Sequence, residues 1–218
     1  MASKCFHIIG AGKMGKIAFA RLSAMYPDSE IIVVDINEDA LKNNDCRIIQ
    51  DDGIAYVLSL CKTFKNGDPE VRDFIIPAIP VHVAYEWLKK ALSEKGGVKD
   101  ITMPEAVLNE LPIPFCGSKS QVYASYADFL CPDNCREKGC TCGHSGKERP
   151  EALWKKIAAI VHGGFNTKVL RSAQLGPGVG GYTVNDLIKQ KNAMVPGKTI
   201  FATACKCHGV VNAFEWRC

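Results

Sequence analysis

No apolar run in this chain approaches the roughly 18 to 20 residues that a membrane-crossing helix requires, so a transmembrane protein is not expected. The start, MASKCFHIIG, has neither a long apolar segment nor the small-residue cleavage site of a secretory leader, and His7 to Gly10 already read as structure. A cytoplasmic protein without membrane contact is the expectation. An excess of one charge is missing too: 27 Lys and Arg against 23 Asp and Glu leave a net +4. The basic residues are scattered rather than gathered into a stripe, which argues against nucleic acid as a partner. Internal repeats and low-complexity tracts are absent. What remains is an ordinary globular composition, with 218 residues, 47% hydrophobic and 23% charged. At a mean hydropathy of −0.03 this fills one large or two small domains and makes intrinsic disorder an unsuitable reading.

Cysteine departs from that average. There are 11, at positions 5, 46, 61, 116, 131, 135, 140, 142, 205, 207 and 218. In a reducing compartment, clustered thiols mean metal ligands or redox chemistry more often than a disulfide framework, and the odd count agrees.

Hydrophobic patterning gives an α/β order. Lys4 to Gly10 reads as a strand ending in glycines, Lys13 to Met25 as a helix, and Glu30 to Asp35 (EIIVVD) as a strand buried on both faces of a parallel sheet. Asn37 can cap a helix over Glu38 to Asn43. Arg47 to Ile49 is a third strand, Asp51 to Lys62 a helix, Asp73 to Ile76 a fourth strand, Val81 to Ser93 an amphipathic helix and Val98 to Met103 a fifth strand. The Pro- and Gly-bearing stretch Leu111 to Ser120 predicts a boundary, giving domains 1–112 and 113–218. Beyond it, strands are expected over Gln121 to Leu130, Thr167 to Leu175 and Thr199 to Cys205, with helices over Pro150 to His162 and Thr183 to Asn192. Gly209 to Trp216 reads equally as helix or strand. The expected fold class is therefore α/β: a doubly wound parallel sheet followed by a smaller α/β region with a cysteine-rich loop.

Gly10-Ala11-Gly12-Lys13-Met14-Gly15 matches G-x-G-x-x-G between the first strand and helix, and Asp35 stands 20 residues past Gly15 at the end of the second strand. The first glycine permits a tight turn, the second lets backbone approach a pyrophosphate, and the third lets the helix pack closely on the sheet. The amides of Lys13 and Met14 at the helix N-terminus would hold phosphate. The Asp35 carboxylate would accept ribose hydroxyls and repel a 2′-phosphate, which favours NAD over NADP.

On these residues, positions 4 to about 103 resemble the NAD(P)-binding Rossmann superfamily, in the manner of saccharopine dehydrogenase-like reductases and the nucleotide-sensing domains of potassium transport regulators. The resemblance implies fold and cofactor and leaves the reaction open. It also implies that the loop after the fourth strand, Pro77-Ala78-Ile79-Pro80, runs under the nicotinamide side. That makes Ala78 a cofactor contact and His82 a candidate proton donor, the plainer alternative being that His82 is an exposed first-turn helix residue.

The second motif is CPDNCREKGCTCGHSG, in which Cys131, Cys135, Cys140 and Cys142 bring four thiols into 12 residues. A segment this poor in apolar residues has no core of its own, so thiolate ligation is the evident force that would order it. An iron–sulfur cluster and zinc both suit four cysteines, and pairing with a nicotinamide cofactor favours iron. Redox-active thiols, or no ligand at all, are the alternatives. Cys205-Lys206-Cys207-His208 lacks the C-x-x-C-H spacing of haem attachment; Cys205 reads best as a core residue, while Cys207 and His208 read evenly as ligands or not. Parallel-sheet ligands gather at strand carboxyl ends, so the glycine turn, Cys131, Cys205 and a second glycine loop at Gly176 to Gly181 could converge, provided the second half is parallel.

The reading from sequence is an NAD(H)-binding oxidoreductase or redox-handling protein with a cysteine-ligated centre, acting on a small-molecule substrate or redox partner, with a homo-oligomer left open. A non-catalytic NAD(H)-sensing module fits the lack of a Tyr-x3-Lys pair, and metal or sulfur delivery is a third reading.

Overall fold

The structure is a computed structural model that describes residues 4–37, 47–64, 73–137 and 139–218. The helix expected over Glu38 to Asn43, and Cys46, lie outside the described residues. In chain order the elements begin with β1 (Cys5–Ile9), α1 (Lys13–Met25), β2 (Glu30–Asp35), β3 (Arg47–Gln50), α2 (Gly53–Thr63) and β4 (Asp73–Pro77). They continue with α3 (Val83–Ser93), β5 (Gly97–Asp100), α4 (Glu105–Glu110), β6 (Phe115–Cys116), β7 (Gln121–Ser125) and α5 (Leu153–Ala158). The last six are β8 (Phe165–Arg171), β9 (Ala173–Gly176), β10 (Val179–Thr183), α6 (Val184–Asn192), β11 (Gly197–Ala204) and β12 (His208–Arg217). No helix among the described residues is long and apolar enough to cross a membrane.

The protein is mixed α/β, with two sheets that each combine parallel and antiparallel strands. Two compact units divide the chain, Met1–Trp87 with Ala173–Lys189 and Leu88–Ser172 with Gln190–Cys218. They do not follow a single cut at 112, because the chain returns to the first unit after Ser172. Leu111 to Ser120 is no linker either: it lies within the second unit and contributes β6, an edge strand antiparallel to β7.

The first unit holds a six-stranded sheet in the order β3-β2-β1-β4-β10-β9. β3, β2, β1 and β4 are parallel, and the β9–β10 hairpin joins antiparallel along β4. Ile31, Ile32, Val33 and Val34 are consecutive and all buried, as a strand covered on both faces requires. Phe6, Ile8, Ala18, Leu22 and Ile76 form the core on one side. At α2, the Asp52 carboxylate accepts the N–H groups of Ile54 and Ala55 at 3.1 and 2.8 Å, satisfying two of the four amides a helix start leaves unpaired. Asp52→Ala should therefore cost about 1 kcal/mol and lower the melting temperature by about 2–4 °C, measurable by circular dichroism.

The second unit holds the path β6-β7-β12-β11-β8, with β5 also paired to β12. β8 and β11 are parallel, and β12 runs antiparallel to β11, β7 and β5. Leu153 and Ile157 from α5 pack with Val122, Ile200, Ala202 and Val211 in its core.

Several expectations are corrected here. The purely parallel sheet becomes a mixed one, since only four of its six strands are parallel. The fifth strand does not extend it: β5 pairs with β12 in the other sheet. The run Thr167 to Leu175 is two strands, β8 and β9, in different sheets. They part at Ser172, whose N–H donates to Ala204 O at 2.9 Å, a separation that apolar continuity could not reveal. The ambiguous C-terminal stretch is β12, and the second unit is not the smaller region expected.

Candidate functional site

Each site is built within one unit. In the first, the glycine turn is pinned by its neighbours: Gly10 N–H donates to Val34 O at 2.7 Å and Ala78 N–H to Ile9 O at 2.8 Å. Gly10 has φ +111°, a conformation L side chains rarely adopt, and a Cβ there would lie 2.7 Å from Ala78 O. At Gly15 a Cβ would meet the Gly10 carbonyl oxygen at 1.9 Å, so the start of α1 sits against the turn itself. Gly12 is different: its Cβ position has nothing within 4 Å among the described residues. Packing therefore demands glycine at 10 and 15, whereas at 12 the fold leaves open space. α1 opens on Gly12 with no side-chain cap and no acidic residue in its first turn, so Lys13 and Met14 stand at a helix start whose positive dipole end no carboxylate of that turn offsets.

Asp35 closes this group. Its Oδ2 accepts the Ala11 N–H at 2.7 Å and its Oδ1 the Asn37 N–H at 2.8 Å. A carboxylate has about four acceptor positions, so capacity remains for hydroxyl donors. Gly10, Gly12, Lys13, Met14, Gly15, Asp35 and Ala78 thus surround one turn, with Ala78 following β4 beside Gly10. His82 is not the exposed residue of the plainer alternative. It is 5% exposed just before α3, where its carbonyl accepts the N–H groups of Tyr85 and Glu86 and its ring lies 6.0 Å from the Tyr85 ring.

In the second unit, the cysteine loop and the β11–β12 turn meet. Cys131, Cys135, Cys142 and Cys207 line one cavity of about 90 Å³, together with Tyr126 and Arg149. Cys131 Sγ stands 3.4 Å from His208 Nε2. Cys205 Sγ accepts the N–H groups of Cys207 and His208 at 3.4 and 3.3 Å, and Cys142 Sγ accepts that of Ser145 at 3.5 Å. The amide contacts at Cys205 and Cys142 favour thiolates there. The Cys142 thiol is lowered to about 7 by its hydrogen bonds from Ser145 and the His144 amide. Cys205 is lowered by the Cys207 thiol and the turn amides, and Cys207, the donor of that pair, is raised. Cys131 and Cys135 are raised, first by burial and then by neighbouring sulfurs, while Arg149 opposes the rise.

Arg149 is 7% exposed, and its Nη1 is buried with no hydrogen-bond partner among the described residues. A buried guanidinium beside four thiols is a cation held where anionic sulfur would stand. The Lys206–Glu137 pair at 3.3 Å links the loop to the turn. Backbone also organises the loop, through the Thr141–Glu148 bridge, Cys142 N–H to Lys147 O at 2.9 Å and Arg149 N–H to Cys140 O at 2.8 Å, so ligation is not its sole ordering force.

Of the four loop cysteines, the structure brings together three. Cys140 is exposed and does not line the cavity. Cys205, which reads from sequence as a core residue, is half-buried, and its sulfur accepts the amides of His208 and of Cys207, which lines the cavity. The hairpin turn between β11 and β12 places Cys205, Cys207 and His208 there, although Cys205 follows the last loop cysteine, Cys142, by 63 residues. The Gly176 to Gly181 loop belongs to the first unit, where it makes the β9–β10 hairpin. Arg149 and the trio Cys5, His7 and Asp73 went unnoticed in the sequence. No motif marks them, because each depends on strand pairing or burial.

The fold defines a two-unit mixed α/β protein with a glycine turn in one unit and a cysteine cavity in the other. Residues 84–217 match the family described as "Uncharacterized protein, C-terminal domain", and the chain belongs to that family. It is also 27% identical over 220 residues to an "Uncharacterized protein" of Archaeoglobus fulgidus, an alignment covering 95% of this chain and 98% of that protein. No solved structure matches.

Proposed function

We propose that the chain is an NAD(H)-binding oxidoreductase or redox-handling protein with a cysteine-ligated centre. The observation that carries the nucleotide half is the contrast among the three glycines, two obliged by packing and Gly12 opening onto empty space at an uncapped helix start. That is the division of labour a pyrophosphate site needs. The parallel order β3-β2-β1-β4 and Asp35 beside the turn support the Rossmann-type reading of this unit. Asp35→Ala should weaken NADH binding about tenfold to a hundredfold and narrow the preference over NADPH, because ribose hydroxyls lose an acceptor and a 2′-phosphate loses a repulsive neighbour. Nucleotide fluorescence titration checks this; unchanged affinity for both nucleotides removes the assignment.

For the centre, Cys131, Cys135, Cys142 and Cys205 are the proposed ligands, with Cys207 lining the same cavity, His208 beside Cys131 and Arg149 offsetting its negative charge. Among the described residues, these sulfurs do not form a group of three within 4.8 Å. Zinc and an iron–sulfur cluster both take four thiolates, and pairing with a nicotinamide cofactor favours iron. Iron, sulfide and zinc analysis of anaerobically purified protein separates the two. Steady NADH oxidation with an artificial electron acceptor would support an oxidoreductase, whereas binding without turnover would establish the sensing alternative.

A further inference from the structure

A second cluster of ligand-type side chains lies in the first unit, apart from the glycine turn and made without any cysteine of the loop. Cys5 and His7 alternate along β1 and so share a face of the sheet, and Asp73 stands opposite Cys5 at the start of β4. Their ligand atoms, one thiol sulfur, one imidazole nitrogen and one carboxylate oxygen, all lie within 4.8 Å of one another. A cavity of about 540 Å³ opens over them, lined also by Glu30, Arg47 and Tyr56.

We propose that Cys5, His7 and Asp73 form a binding site for a zinc-class divalent cation. The distances carry the argument. His7 Nε2 and Asp73 Oδ2 are 3.3 Å apart, long for a charge-assisted hydrogen bond at about 2.7–2.9 Å. It matches the nitrogen-to-oxygen edge of about 3.3–3.4 Å in a tetrahedron whose metal bonds are about 2.0–2.1 Å. Glu30, whose Oε2 accepts the Cys5 thiol at 3.8 Å, is paired with Arg47 at 3.2 Å on the cavity lining and stays outside the ligand set. His7 is 3% exposed, and its other nitrogen, Nδ1, is 2.7 Å from Tyr56 Oη. With Nδ1–H donating to that hydroxyl, Nε2 keeps its lone pair for a metal, the outer contact that ligating histidines require.

The electrostatics agree with the geometry. The Asp73 carboxylate stands within 4.8 Å of the Cys5 sulfur and the Glu30 carboxylate 3.8 Å from it. Crowded acidic groups suit a cation and do not suit a free thiolate nucleophile, which makes a cysteine–histidine–aspartate nucleophile the weaker reading. The mixed sulfur, nitrogen and oxygen set is one that zinc accepts, and three protein ligands beside an open cavity leave a position for water or a substrate oxygen.

The test uses the full chain, stripped of metal and titrated with zinc against a competing chromophoric chelator. Cys5→Ser and Asp73→Asn, close in volume to the native residues, should each weaken one zinc site by more than about 100-fold. Neither should alter whatever centre Cys135→Ser removes, so this site and the loop centre fail or succeed separately. Zinc stoichiometry and affinity equal to wild type in both variants would overturn the proposal. Should either variant not fold, wild-type protein decides: saturating zinc should slow maleimide labelling of Cys5, located by peptide mass, and an unchanged labelling rate overturns the site.

Discussion

Gly12→Val should abolish detectable NADH binding while leaving the melting temperature of the protein nearly unchanged. The Cβ position of Gly12 meets nothing within 4 Å, and its backbone, at φ −69° and ψ −165°, is extended and open to a β-branched residue. Replacing glycine at a helix cap by valine costs less than about 1 kcal/mol. Inside the proposed complex, however, the valine methyl groups occupy the space through which backbone amides would meet the pyrophosphate, and affinity should fall more than about 100-fold, or about 2.7 kcal/mol. Gly15→Ala is the informative contrast. Its Cβ would stand 1.9 Å from a backbone oxygen that no rotamer change can move aside, so it should lose stability, by at least about 1–3 kcal/mol, as well as binding. Thermal melts paired with NADH titrations read both quantities. Full NADH affinity in folded Gly12→Val would place the nucleotide elsewhere or nowhere.

The second large effect concerns the cysteine cavity, where Cys135→Ser and Cys205→Ser should each release the bound centre while Cys140→Ser retains it. Serine keeps nearly the volume of cysteine but is a poor ligand for thiophilic ions, so the exchange tests coordination more than packing. Cys135 lines the cavity and Cys205 supplies the sulfur cradled by two turn amides, whereas Cys140 is exposed and lies off the cavity. Spacing alone makes Cys135 and Cys140 equivalent ligands, so the Cys140 variant separates the structural assignment from the linear one. Metal analysis of the three variants, with limited proteolysis across residues 131–146, provides the measurement. Release from Cys140→Ser together with retention in Cys205→Ser would return the centre to the four loop cysteines.

The linear sequence determined what depends on near neighbours. Alternation, β-branched runs and glycine spacing located β1, α1, β2, β4 and the turn at Gly10 to Gly15, because a strand–turn–helix unit is local and its side-chain period is visible within a dozen residues. The Asp35 position was legible for the same reason, since two consecutive parallel strands bring the end of β2 beside the end of β1. Tertiary structure decided the rest. Whether Thr167 to Leu175 is one strand or two depends on which sheet offers hydrogen-bond partners, and the apolar pattern is the same either way. Cys205, Cys207 and His208 come beside the cysteine loop because β7 and β11 both lie antiparallel to β12, placing the segments that follow them at one end of the second sheet. Cys5, His7 and Asp73 meet through the register of β1 with β4, across 66 residues from His7 to Asp73. Side-chain chemistry was written in the sequence, but which groups share a cavity was fixed by strand order and register, to which local periodicity is blind.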